Sequence, residues 1–238
     1  ENSKLIATSL ERERFQQEMM VAQQMQKRLL PQRIPAYKSL DVAAVSEPSL
    51  EVGGDYYDFM ALGSDRLGVV VGDVSGKGVS AAFYMAEVKG IFQALSRVAG
   101  SPRDLLLSAN LALVDSLERN AFISLLYAIF DTTKSNVTLA RAGHCPMIHI
   151  SGETTRMVRP SGLGLGLTHD KIFEESTEEM SITLRNGDIC IFYTDGLSES
   201  RNSEGEEFGY DRIVDVALHS QKDSAESIKD SIVQEVRN

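Results

Sequence analysis

The sequence predicts an α+β fold in which antiparallel sheets are covered by helices. Three observations predict it. Short apolar or alternating runs, among them DYYDFMAL, RLGVVVGD, FISLLYAIFD and NVTLARAG, are separated by Gly, Ser and Pro, which is the texture of strands joined by tight turns. Two helix-length stretches interrupt these runs in the middle of the chain, roughly Val79 to Val98 and Pro102 to Glu118. Two further helical stretches close it, from about Asp211 and from Ser224. Strands in series with helices inserted between them pack as sheets under helices.

Each element has its own local reason. In the first 30 or so residues, Phe15, Met19, Ala22, Met25 and Leu29 step by three or four, one apolar stripe on a helix, with Glu and Gln on the other faces. Pro31 and Pro35 stop it. Such a helix either packs on its own domain or pairs with a second copy as a coiled coil does, and we expect a dimer through it. From Asp41 the texture turns to strands, beginning with DVAAVSE. Ser101 is placed to cap the second central helix, with Pro102 at its first position and Asp104 at its third. Thr132 to Ser135 reads as the turn between FISLLYAIFD and NVTLARAG. Further strands are expected at MIHI, TRMV, FEESTEEMSITL and DICIFYTD, with Asn186-Gly187 as a hairpin turn.

Composition excludes several classes. Hydrophobic residues make up 42 % and charged residues 24 % of the 238, as in ordinary globular domains. No apolar stretch approaches the ~18 residues of a membrane span, and the polar start at Glu1 carries no signal-peptide pattern. The net charge is −10, and no run of Lys and Arg is long enough to follow a nucleic-acid backbone. An acidic surface repels an anionic substrate, and bound divalent cations would reverse that sign locally. The two cysteines, Cys145 and Cys190, fit no zinc spacing and point to a reduced, cytoplasmic setting.

Three aspartates carry the chemistry. Asp73 ends the run Val69-Val70-Val71-Gly72, Asp195 ends Ile189 to Thr194, and Asp55 opens Tyr56 to Met60. By strand alternation Asp73 shares a face with Val69 and Val71, Asp195 with Ile189, Ile191 and Tyr193, and Asp55 with Tyr57 and Phe59. Carboxylates at the edge of an apolar core need pairing, protonation or a metal. No Arg or Lys recurs beside them, and oxygen ligands without His or Cys favour Mg²⁺ or Mn²⁺ over zinc. Glycines flank all three, as a crowded ion site requires. Taken singly, each Asp-Gly pair is equally a turn.

The segments VGGDYYDF, VVVGDVSGKGVSAAFYM, RAGHCP and CIFYTDGLSES occur in this order, preceded by QMQKRLLPQ. Together, from Gln24 to Val216, they resemble the bacterial PPM phosphatases of the stage II sporulation protein E and RsbU type. The resemblance implies an αββα sandwich of two antiparallel sheets flanked by helices. It implies a phosphatase domain over residues 32–238, preceded by a linker or dimerisation helix over 1–31 and, further upstream, a sensor domain. It implies two Mn²⁺ or Mg²⁺ ions held by Asp55, Asp73, the backbone carbonyl of Val74 and Asp195, and hydrolysis by a metal-activated water. The implied substrate is phosphoserine or phosphothreonine on a regulatory protein, typically an anti-sigma-factor antagonist. Two features of the eukaryotic branch are absent: a phosphate-binding Arg near the N-terminus and a His after the second metal aspartate, where Ser75 to Gly78 reads SGKG. The family also carries a C-terminal segment of the form DDxTxLxV. Here DSIVQEVRN reads as a helix, and Asp223 and Asp230 are poor substitutes. A missing last strand, an unpaired sheet edge and a site one carboxylate short are therefore expected.

Other residues carry weaker readings. Asp58 lies on the opposite strand face from Asp55 and suits a structural hydrogen bond. Lys77 either meets phosphate or is simply solvated. His144 suits a structural role, and Glu199 a place behind the ligands. SGLGLGLT, Ser161 to Thr168, reads as an active-site flap. GDVSGKG is not a phosphate loop, because its glycine spacing is one residue short and Gly78 replaces the Ser or Thr. Two rivals to the phosphatase are a metal-free, catalytically weak dimerising module and a nucleotide-binding ATPase.

Overall fold

A computed structural model describes residues 2–47, 53–75, 79–118 and 121–237. Lys77, with Gly76 and Gly78, lies outside the described residues.

The chain runs α1 (Asn2–Leu29), β1 (Asp55–Ala61), β2 (Arg66–Val74), α2 (Val79–Leu95), α3 (Pro102–Leu113), β3 (Ile123–Asp131) and β4 (Asn136–Ala142). It continues through β5 (Met147–Ser151), β6 (Thr154–Val158), α4 (Asp170–Ser176), β7 (Glu179–Thr183) and β8 (Ile189–Ile191). Three helices follow: α5 (Asp195–Ser198), α6 (Gly209–His219) and α7 (Ala225–Arg237). The strands form two antiparallel sheets, ordered β1-β2-β3-β4-β7 and β6-β5-β8.

Strand alternation sorts the side chains into layers. Tyr56, Val70, Leu125 and Tyr127 turn one face of the larger sheet toward Met85 and Phe92 of α2 and Leu105 and Leu106 of α3. Leu67, Val69, Leu126 and Val137 turn the other face toward Met147 and Val158 of the smaller sheet. Ile148 and Ile150, on the outer face of that sheet, pack with Ile213 and Ala217 of α6 and Ile228 and Ile232 of α7. The result is the expected αββα sandwich.

Ser101 caps α3 as expected, its side chain accepting from the Asp104 N–H at 3.2 Å. The Thr132–Ser135 turn joins β3 to β4, with Ser135 at φ 48°. Four expectations are corrected. DVAAVSE forms no strand. FEESTEEMSITL divides into the end of α4 and β7, because Phe173 buries against the α3 side of the core and Thr177 closes the helix onto the Phe173 carbonyl. Asn186-Gly187 is a turn, with Gly187 at φ +86°, but it carries the chain from one sheet to the other rather than closing a hairpin. The second central helix ends at Leu113, short of Glu118.

Of the apolar stripe on α1, Phe15 has no described side chain, Met25 is 64 % exposed, and Leu29 packs on the core. Gln26, counted by its polarity with the Glu and Gln of the other faces, is instead 6 % exposed. The helix docks through Gln26, Leu29 and Leu30.

Candidate metal centre

The β1–β2–β3 register sets Asp55 opposite Asp73 and Asp73 opposite Ser124. Directly opposed residues point to the same side of a sheet. By alternation that side is the one carrying Phe59, Val69, Val71 and Leu126 toward the smaller sheet. The three residues thus make a polar row at one end of the inter-sheet face.

Asp195 reaches this row differently from the expectation. β8 ends at Ile191, and Asp195 is the first residue of the short helix α5. Ile189, Ile191 and Tyr193 pack outward with α6 and α7, since the outer face of the smaller sheet is itself covered. Asp195 arrives because the chain leaves the strand, not because it shares that face. The Thr194 side chain lies near enough to the Asp55 carboxylate to favour its charged form, and the Asp195 charge is felt by both Asp55 and Asp73.

Burial, and then the neighbouring carboxylates Asp55 and Asp195, push the Asp73 carboxyl up to about 6. Burial foremost also raises Asp55, offset by Thr194 and reinforced by Asp195. Like charges held together without a countercharge have this effect. Among the described residues no Lys, Arg or His ion pair reaches any of the three.

Gly54 keeps the space between them open. A Cβ there would lie 2.3 Å from Asp73 Oδ1 and 2.4 Å from the Val74 carbonyl oxygen, so two oxygens converge on the room that this glycine leaves. The Val74 N–H donates to the Gly54 carbonyl at 3.1 Å, which fixes that approach. Unpaired carboxylates, a converging carbonyl and a glycine cradle fit a hard divalent cation. Among the described residues no three His, Cys, Asp or Glu side chains come together as a group that could hold a metal ion, so the three carboxylates are a partial ligand set.

The family model for stage II sporulation protein E (SpoIIE) matches residues 63–238. The chain belongs to the SpoIIE family. Phosphoserine phosphatase RsbU of Bacillus subtilis (strain 168) is 28 % identical over 190 residues, covering 79 % of this chain and 55 % of that protein. The chain therefore spans about half the length of that relative. The SiaA-PP2C domain of Pseudomonas aeruginosa superposes with a TM-score of 0.77 at 18 % identity, over 94 % of this chain and 90 % of that one. RsbX, solved in complex with magnesium, superposes with a TM-score of 0.57 at 20 % identity, over 82 % and 83 %.

Around the aspartates of this SpoIIE-family chain, the other candidates sort out as follows. Asp58 faces away from the site and is buried, bound to Lys89 of α2, to the Tyr56 hydroxyl at 3.3 Å and to the Phe59 N–H at 2.9 Å. His144 is buried against Ser124, with Ser124 Oγ and His144 Nδ1 3.0 Å apart. Glu199 is near enough, with Asp195, for its charge to help push the Cys145 thiol up to about 11, burial being the main cause. The glycine-rich segment 161–168 is not a flap. Leu165 is fully buried and exchanges two backbone hydrogen bonds with Ile123, and the Gly166 N–H donates to Asn110 at 2.9 Å. A Cβ on Gly162 would collide with the Arg141 carbonyl oxygen, so Gly162 serves close packing against β4.

Two residues near the site escaped the sequence reading. Ser124 is the polar member of an inward-facing set otherwise made of Leu126, Ala128 and Phe130, and that interruption was its signal. Gln26 grips the backbone just before Gly54: its Nε2 donates to the Gly53 carbonyl, and the Gly53 N–H donates to its Oε1 at 3.2 Å. Its spacing from Ala22, Leu29 and Leu30 placed it on a buried face, but its polarity argued otherwise.

Proposed function

We propose that this chain is the catalytic region of a metal-dependent protein phosphatase acting on phosphoserine or phosphothreonine of a regulatory protein, of the anti-sigma-factor-antagonist type. The observation that carries this reading is Asp55 set opposite Asp73, within reach of the Asp195 charge and with no basic partner among the described residues, beside a glycine that leaves room for two oxygens. It is supported by membership of a family that includes a relative named as a phosphoserine phosphatase, and by a similarly folded protein solved with magnesium.

In this reading Asp55, Asp73, the Val74 carbonyl and Asp195 hold Mn²⁺ or Mg²⁺, two ions in all. Cations held there would supply polarisation of the phosphoryl oxygens and a lowered pKa for a water. The chain's own contribution is placement. The β1–β2 ladder sets two carboxylates side by side, Thr194 lies near Asp55, and Gly54 keeps the approach clear. Accumulated negative charge on these groups attracts cations and would repel a bare phosphate, so substrate binding waits on metal. The smaller sheet leaves β8 bonded to β5 on one side and to no described strand on the other. That edge suits a further strand bearing the additional carboxylate expected of the family.

The division into a linker helix, 1–31, and a phosphatase domain, 32–238, belongs to the same proposal. So do a homodimer through α1, an upstream sensor domain and a cytoplasmic setting. No described helix is long and apolar enough to cross a membrane. The test is phosphate release from a phosphoserine protein and from p-nitrophenyl phosphate, with and without Mn²⁺. Metal-dependent release by the chain, lost in Asp73→Asn, is the expected result. Folded protein without metal-dependent release would favour the dimerising, non-catalytic module instead.

A further inference from the structure

The polar row Asp55–Asp73 does not stop at the second aspartate. Ser124 is the next residue across the ladder, and His144 lies behind it with Nδ1 3.0 Å from the serine oxygen. The ring is 5 % exposed. Its Nε2 is buried beside the Tyr193 backbone without a well-formed hydrogen bond. Tyr193 is two residues before Asp195. The pair therefore reaches from β3, where Ser124 lies opposite Asp73, toward the segment that delivers Asp195.

The backbone around the ring is fastened. Arg141, itself buried, donates through Nη1 to the His144 carbonyl at 2.7 Å and through Nε to the Pro160 carbonyl at 2.8 Å. Gly143, at φ +70°, donates its N–H to the Gly162 carbonyl at 3.0 Å. The following residue, Cys145, lies within the field of Asp195 and Glu199.

A purely structural filler at this place would be apolar, because burying a hydroxyl and an imidazole costs about 1–3 kcal/mol for each group left without a good partner. Here the pair sits in an inter-sheet layer of Leu, Val, Ala, Phe, Met and Ile, where the other buried polar side chains, Arg141 and His149, are held by hydrogen bonds. Burial foremost pushes the His144 ring down to about 4, so at neutral pH it is uncharged and works through hydrogen bonds and shape.

We infer that Ser124 and His144 are positioning residues of the ion site, packing β3, beside Asp73, against the Tyr193–Asp195 segment that leaves the other sheet. The inference rests on the proposal that these carboxylates hold divalent cations. Side chains that orient ligands from behind are worth roughly 10–100-fold in metal affinity.

The test is calorimetric titration of Mn²⁺ into the full chain and its Ser124→Ala, His144→Phe, His144→Gln and Asp73→Asn variants, each with a thermal melt. Ser124→Ala and His144→Phe should keep a cooperative melt and bind Mn²⁺ at least about 10-fold more weakly. His144→Gln, whose amide can still meet the Ser124 hydroxyl, should recover most of the loss. Should His144→Phe fail to fold, Ser124→Ala decides, since it removes a single hydroxyl. If Asp73→Asn abolishes binding while Ser124→Ala and His144→Phe bind as tightly as the parent, the pair is structural and the inference is overturned. If Asp73→Asn binds Mn²⁺ like the parent, the carboxylate site itself is wrong and the inference falls with it.

Discussion

At the scale of single residues, Gly54 and Asp73 make opposite demands on one small volume. A methyl group on residue 54 would meet Asp73 Oδ1 at 2.3 Å and the Val74 oxygen at 2.4 Å, so one of these oxygens must move. Gly54→Ala should lower stability by about 1–3 kcal/mol through overpacking and cut Mn²⁺ affinity more sharply than it cuts stability. Denaturant unfolding and calorimetry on the same sample separate the two. Asp73 brings a pH dependence whose sign follows from its shift. Its carboxyl titrates near 6 in the fold, above the usual 3.8. Between those values the folded chain binds more protons than the unfolded one, so this group's contribution to stability falls as pH rises through that window. In metal-free protein, melting temperature from pH 4 to 6 should therefore decline more in the parent than in Asp73→Asn. Added Mn²⁺ should restore stability chiefly above about pH 6, where the carboxylate is free to bind it. A metal response equally strong at pH 4.5 would contradict the assignment.

Elements are coupled to the site through buried polar contacts. α2 is pinned to β1 by Lys89 on Asp58, and the end of α1 is pinned to the approach of β1 by Gln26 on Gly53, with Met85 of α2 also within 3.4 Å of the Gln26 amide. Gln26→Ala leaves the Gly53 N–H and carbonyl unpaired in a part-buried place, which should cost about 1–3 kcal/mol. Lys89→Ala strands the Asp58 carboxylate in the core and should cost about 3 kcal/mol or more. Urea unfolding measures both. A loss under 0.5 kcal/mol for Lys89→Ala, a rough bound for a surface residue, would mean that the α2–β1 contact is not held as the geometry indicates.

For the whole molecule, the open question of association sits on α1. Met20, Val21 and Met25 remain exposed while Gln26, Leu29 and Leu30 dock. A helix of 28 residues with an apolar side left uncovered suits a second copy, as a coiled coil would use it. Removing residues 1 to 25, which leaves the docking residues in place, should convert a dimer to a monomer in light scattering. A full chain that stays monomeric at high concentration would rule the dimer out.

What the sequence determined by itself was the layering and the places of Asp55 and Asp73 at strand ends. A strand's buried face is written every second residue, so DYYDFMA and RLGVVVGDV announced their pairing faces and set these two aspartates at their ends. Ser101 and Pro102 likewise carried the α3 cap locally. The tertiary structure alone decided the rest. Asp195 was legible as a residue of the site, through its motif, but not in its route: it leaves the strand to arrive at the head of α5. The split of FEESTEEMSITL, and the conversion of the Asn186-Gly187 turn into a link between sheets, depended on which layer each piece could be buried in. For Ser124, His144 and Gln26 periodicity hinted at burial at most and said nothing of their partners. Their roles come from hydrogen bonds to segments 20 to 27 residues away in the chain, and such partners are chosen by packing between layers, which no local pattern records.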